Sequence, residues 1–177
     1  MAGEPTNRLT GVNSTERWLA LEIRSWKLGF IVLEGNDLLE WGTRRFRPGV
    51  MSTAIHKLAF LLRIYAPSIV ITRSTRRAKH PSSSDAAHLL RSFCQELELR
   101  SVPFVVLSRD EVRNSFVQQG YTSKNEIARV VAGRFERLTP RIPRSRKPWD
   151  PERGMVVVFD AAATAIAFER LREATPT

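Results

Sequence analysis

A change of pattern midway along the chain constrains its fold most. Three strand-like runs, roughly Arg17 to Ile23, Leu28 to Glu34 and Leu38 to Phe46, follow one another directly. The turn Gly35-Asn36-Asp37 between the last two predicts a hairpin. Past Pro48-Gly49 the period changes. Ile55, Leu58, Ala59 and Leu62 recur at helical spacing until Tyr65-Ala66-Pro67 stops the helix. Ser68 to Thr72 then reads as a short buried strand, and the serines at 82 to 84 open a helix that turns Ala87, Leu90, Cys94 and Leu97 inward. Pro103 to Leu107 is the next strand. Strands joined by tight turns pair antiparallel, whereas strands separated by helices need crossovers and pair in parallel. The chain is therefore an α/β protein: a mixed sheet, begun as a three-strand antiparallel meander and continued by β-α alternation, flanked by helices.

Two capping boxes follow, Ser108 with Glu111 and Ser123 with Glu126; the second opens a helix with the apolar positions Ile127, Val130, Val131 and Leu138. A basic, proline-broken stretch from Thr139 to Trp149 leads to a closing helix, with Asp150 as N-cap and Pro151 in the first helical position, although the Val156 to Val158 run leaves a strand open as the alternative. A chain of 177 residues with 42% hydrophobic content fills one core but not two. Residues 1–15 are polar and aperiodic and read as a flexible tail, leaving residues 16–174 as a single domain. No run is long and apolar enough for a spanning helix or a signal peptide, and the single Cys94 reads as a core thiol in a reducing compartment, so the expected location is cytoplasmic, with no membrane partner. The net charge of +10 makes a polyanion, nucleic acid first, the expected partner.

Two acids stand out against apolar settings. Glu22 interrupts Trp18-Leu19-Ala20-Leu21-Glu22-Ile23, and Asp160 interrupts the run from Met155 to Ala163. A carboxylate in a packed segment needs a cation, a hydrogen-bond donor or a metal to offset its desolvation, or else an end position that touches water. His56, His80 and His88 have no partner at metal-ligand spacing, which argues against zinc, and there is neither a glycine-rich phosphate loop nor a serine nucleophile motif. Trp18, Trp26 and Trp41 fall in the strand region and read as core or sheet-face residues.

The acid on the first strand, the glycine seven residues later at Gly29, and Asp160-Ala161-Ala162-Ala163-Thr164-Ala165 on a closing helix resemble the RuvC-like branch of the ribonuclease H-like superfamily, the Holliday junction resolvase-like kind. The resemblance runs from about Arg17 to Glu173. It implies a site in which acids on the first strand, at the end of the fourth strand and on the final helix hold divalent metal for phosphodiester hydrolysis. Residue by residue, Glu22 stands at the first-strand position and Asp160 at the closing-helix position, as the implied catalytic and metal-binding pair. The chain departs from the pattern at Thr72-Arg73, where a Glu is expected, and at Ala163, where a second helix acid often occurs.

Two carboxylates return a charge of only −2 to two divalent ions, and Arg73 adds repulsion. The resemblance thus leaves two readings. One is a Mg- or Mn-dependent, structure-specific endonuclease with a weakened two-carboxylate site. The other is a catalytically inactive nucleic-acid-binding or scaffolding module that retains the fold. Under both, branched or structured DNA is favoured over RNA, and a homodimer is left open. The basic segments supply the expected contacts: Arg73, Arg76, Arg77 and Lys79 after the fourth strand, and Arg141, Arg144, Arg146 and Lys147 before the closing helix. Trp149 beside Pro148 reads as an anchor for its loop rather than a stacking residue.

Overall fold

The switch from meander to alternation is realised in full. The computed structural model describes residues 16–47, 49–75, 85–143 and 155–174. Strands β1 (Arg17–Ile23), β2 (Lys27–Glu34) and β3 (Asp37–Arg45) form the antiparallel meander, with Gly35 in the left-handed region at the hairpin turn. After helix α1 (Met51–Tyr65), strand β4 (Ile69–Arg73) pairs in parallel with β1. After helix α2 (Asp85–Leu99), strand β5 (Phe104–Leu107) pairs in parallel with β4. The sheet has five strands in the order β3-β2-β1-β4-β5, which puts β1 at its centre.

Helices α3 (Arg109–Val117) and α4 (Lys124–Arg134) begin at the two expected capping boxes. The Ser108 and Ser123 hydroxyls accept from the Glu111 and Glu126 amides, and each Glu reaches back to its cap residue. A 3-10 turn at Glu136–Arg141 follows, and helix α5 (Val156–Ala174) closes the described chain. The expected cap at Asp150 and Pro151, and the tail at 1–15, lie outside the described residues.

The sheet carries a core on each face. On one, Leu19, Leu21, Val32 and Val70 meet Ala54, Leu58, Leu61 and Leu62 of α1 and Leu89, Phe93 and Leu97 of α2. Leu58, Leu62 and Leu97 are buried at the expected positions, whereas Ile55, Ala59, Ala87, Leu90 and Cys94 are only partly buried: Ala54 and Leu61 complete the sheet-facing side of α1, and Leu89 and Phe93, each one position earlier than expected, that of α2. In α4 the fully buried positions are Ala128, Val131 and Ala132, whereas Ile127 and Val130 pack at the margin.

On the other face, Ala20, Ile31 and Ile71 meet α5, which is itself covered by α3 and α4. Helix α5 is buried nearly all round from Val157 to Phe168, as suits a helix sandwiched between a sheet and other helices. Its small residues Ala161, Ala162, Ala163, Ala165 and Ala167 allow that close fit. Gly29 of β2 permits the closest approach: a Cβ there would overlap the backbone carbonyl of Val157 and lie 2.8 Å from its Cγ2.

Candidate functional site

Glu22 and Gly29 are direct partners across the β1–β2 ladder. The bare backbone of Gly29 lets the start of α5 settle against the sheet beside Glu22, and Asp160 follows Val157 by three residues, about one helical turn. Side chains alternate along a strand, so Glu22 shares the α5 face with Ala20, and Arg73 on the neighbouring β4 shares it with Ile71. The two acids and Arg73 thereby converge at the carboxyl ends of β1 and β4. Arg24, just past the end of β1, joins them from the turn leading into β2.

These four side chains form one ion-pair cluster. Arg73 Nη2 lies 2.8 Å from Glu22 Oε1 and 3.5 Å from Asp160 Oδ2. Arg24 Nη2 lies 2.7 Å from Asp160 Oδ2 and 3.2 Å from Glu22 Oε1. Each guanidinium thus bridges both carboxylates, and the two positive and two negative charges cancel. The Glu22 side chain is 3% exposed and that of Asp160 is 20% exposed, so the cluster opens to solvent on the Asp160 side. Burial pushes the Glu22 carboxyl above its ordinary value and Asp160 pushes it the same way, while Arg73 and Arg24 oppose the rise. Burial works to lower the Arg73 pKa, but the two carboxylates outweigh it and hold the guanidinium above its ordinary value, firmly cationic.

The donor set does not fit a divalent metal. Glu22 and Asp160 are the two acids at the cluster, and both are already bonded to guanidinium nitrogens. Among the described residues, no three His, Cys, Asp or Glu side chains gather in a way that could hold an ion. The departures also resolve. Thr72 points to the face away from the acids, its hydroxyl donating to the Leu21 carbonyl at 3.1 Å, so Arg73 holds the position facing Glu22 where the resemblance expects an acid. Ala163 is buried in the α5-side core. A guanidinium thus stands at that position.

The structure brings Glu22, Asp160 and Arg73 together. Arg141 sits exposed at the end of the 3-10 turn; Arg76, Arg77, Lys79, Arg144, Arg146 and Lys147 lie outside the described residues. Sequence reasoning missed Arg24, although a signal was present: it follows Glu22 by two residues, the spacing that keeps side chains on one face of an extended segment. Trp26 also departs from expectation. It is 42% exposed, because it occupies the turn between β1 and β2 rather than a sheet face. Trp18 is buried, and Trp41 packs against the α5-side core.

No protein-family model matches the chain, and no curated protein matches it in sequence. Solved structures do match. RuvC of Thermus thermophilus superposes with a TM-score of 0.63 at 15% identity, over 88% of this chain and 96% of that one. The same protein in complex with Holliday junction substrate gives 0.65 at 15% identity, over 89% and 96%. The yeast mitochondrial Holliday junction resolvase Ydc2 gives 0.64 at 15% identity, over 93% and 82%. The fold is the RuvC-like form of the ribonuclease H-like fold.

Proposed function

We propose that this protein binds branched or structured DNA at the carboxyl edge of its sheet without cutting it by metal-assisted hydrolysis. The observation that carries the reading is the bridging of Glu22 and Asp160 by Arg24 and Arg73, which turns an acidic pair into a charge-neutral cluster. Such a cluster stabilises the junction of β1, β4 and α5 and leaves no strong negative charge to repel phosphate. The surroundings suit a polyanion: the chain carries +10, and the basic run Arg76, Arg77 and Lys79 follows β4 in sequence. The likeness to a fold seen bound to Holliday junction substrate supports a branched ligand. No helix among the described residues is long and apolar enough to cross a membrane.

The retention of both carboxylates side by side favours a second reading, a residual nuclease that uses Mg or Mn. One experiment separates them. A labelled four-way DNA junction is titrated by fluorescence anisotropy across a salt series, in EDTA and in manganese, with products resolved on a gel. The proposal expects binding that weakens steeply with salt, is unchanged by EDTA and yields no cleavage. Reversing Arg76, Arg77 and Lys79 to Glu is expected to lower affinity by more than about tenfold and to flatten the salt slope. Cleavage in manganese that disappears in Glu22→Gln would establish the second reading instead, and absence of junction binding would end both.

A further inference from the structure

The turn that delivers Arg24 to the acid pair also presents Trp26, and the two residues differ sharply in what they touch. The Arg24 amide donates to the Lys27 carbonyl at 2.9 Å, closing a tight turn, and the Phe46 amide donates to the Trp26 carbonyl at 3.0 Å, fastening that turn to the end of β3. The backbone under Trp26 is therefore held at two points. Its neighbours along the chain, Ile23 and Leu28, are buried, yet Trp26 leaves 42% of its surface open at the carboxyl edge of β1.

The indole is surrounded by cations. The Lys27 ammonium lies 4.5 Å from the ring centroid and the Arg45 guanidinium 5.8 Å. Lys27 is 2% exposed, so the indole roofs a buried positive charge, while Arg45 beside it is exposed. A part-exposed indole with a buried ammonium and an arginine over its ring, held on a pinned turn, supplies what an unpaired nucleobase requires: aromatic surface for the base and positive charge for the phosphates on either side.

We propose that Trp26 is a stacking platform for an unpaired or splayed base at the branch point of bound DNA, with Arg45 contacting the adjoining phosphate. The proposal rests on the DNA-binding reading above and gives it a specific contact. A fully paired duplex buries its base faces and cannot use the platform, so Trp26 contributes discrimination between branched and linear DNA, whereas the basic segments contribute affinity for both.

The test uses the full chain with two ligands of equal length and charge, a four-way junction carrying 2-aminopurine next to the crossover and a matched linear duplex. Trp26→Ala is expected to weaken junction binding by roughly tenfold, the usual scale of one lost base stack, with duplex affinity changed by less than about twofold. Trp26→Phe is expected to restore most junction affinity. The 2-aminopurine emission is expected to fall when the wild-type protein binds, and to fall less with Trp26→Ala. Unchanged melting temperatures confirm that the exposed substitution leaves the fold intact. Equal losses on junction and duplex, or unaltered junction affinity in Trp26→Ala, would overturn the platform while leaving the DNA-binding reading in place. Failure of the wild-type protein to bind either DNA would overturn both.

Discussion

Gly29 and Val157 meet backbone to backbone: no atom of any side chain could be placed on Gly29 without entering the Val157 carbonyl. This contact seats the first turn of α5 on β2, and that turn carries Asp160 to Arg24 and Arg73. Gly29→Ala is expected to destabilise the protein by about 1–3 kcal/mol, the cost of overpacking a tight contact. Urea denaturation monitored by circular dichroism checks this. A loss below a few tenths of a kcal/mol would mean that α5 can shift freely, and the register between Glu22 and Asp160 would then need another explanation.

Arg73 is the principal partner of the buried Glu22. Arg73→Met is expected to cost about 3 kcal/mol at neutral pH, because it leaves a buried carboxylate with Arg24 as its remaining cation partner. The loss should depend on pH with a defined sign. Removing the guanidinium deletes the largest influence holding Glu22 down, so its pKa in the folded variant climbs further above the ordinary 4.5. The folded state then binds a proton more readily than the unfolded chain, and the penalty is full above the raised folded pKa and shrinks as pH falls from there toward 4.5. Melting temperatures of variant and wild type between pH 7.5 and 4 provide the measurement. A gap that widens on acidification would contradict the charged pairing of Glu22 with Arg73.

The cluster also sets an expectation for metal. Wild-type protein titrated with manganese in a calorimeter should give no site-specific heat. Arg73→Glu combined with Arg24→Ala removes both bridging cations and adds a third carboxylate to the α5 face, so the double variant should acquire manganese binding that disappears on adding Asp160→Asn. A folded double variant that still binds no manganese would show that these positions do not converge closely enough to share an ion.

Much of this arrangement could be read from the chain because its signals are local. Tight turns and a change of period mark the antiparallel meander and the parallel half that follows it, and the Ser-x-x-Glu patterns at Ser108 and Ser123 mark helix starts through hydrogen bonds three residues apart. The antiparallel meander follows from three strand-like runs in direct succession, and within it Glu22 pairs with Gly29. What escaped depends on which groups end up out of water. Arg73 begins a run of cations and so looks like part of a solvated or phosphate-binding loop, yet it is the last residue of a parallel strand and turns inward with Ile71. Trp26 has the composition of a core residue but sits where the chain reverses. The partial burial of Ile55, Ala59, Leu90 and Cys94 beside the buried Leu58, Leu62 and Leu97 shares that origin, since a helix with apolar residues on adjacent positions has several faces that could serve, and only the sheet chooses among them.

The position of α5 governs how the molecule must assemble. Arg24 and Asp160 are separated by 136 residues, yet their ion pair joins the central strand to the last described helix. The meander and both crossovers can form while one face of the sheet, with Ala20, Ile31 and Ile71 on it, stays uncovered. Closing so long a loop carries an entropic cost that local contacts do not share, which makes helix docking the natural slow step of folding. Until it occurs, Glu22 lies open to water with Arg73 and Arg24 already beside it on the sheet; its burial and the second carboxylate of the cluster, Asp160, come only with α5.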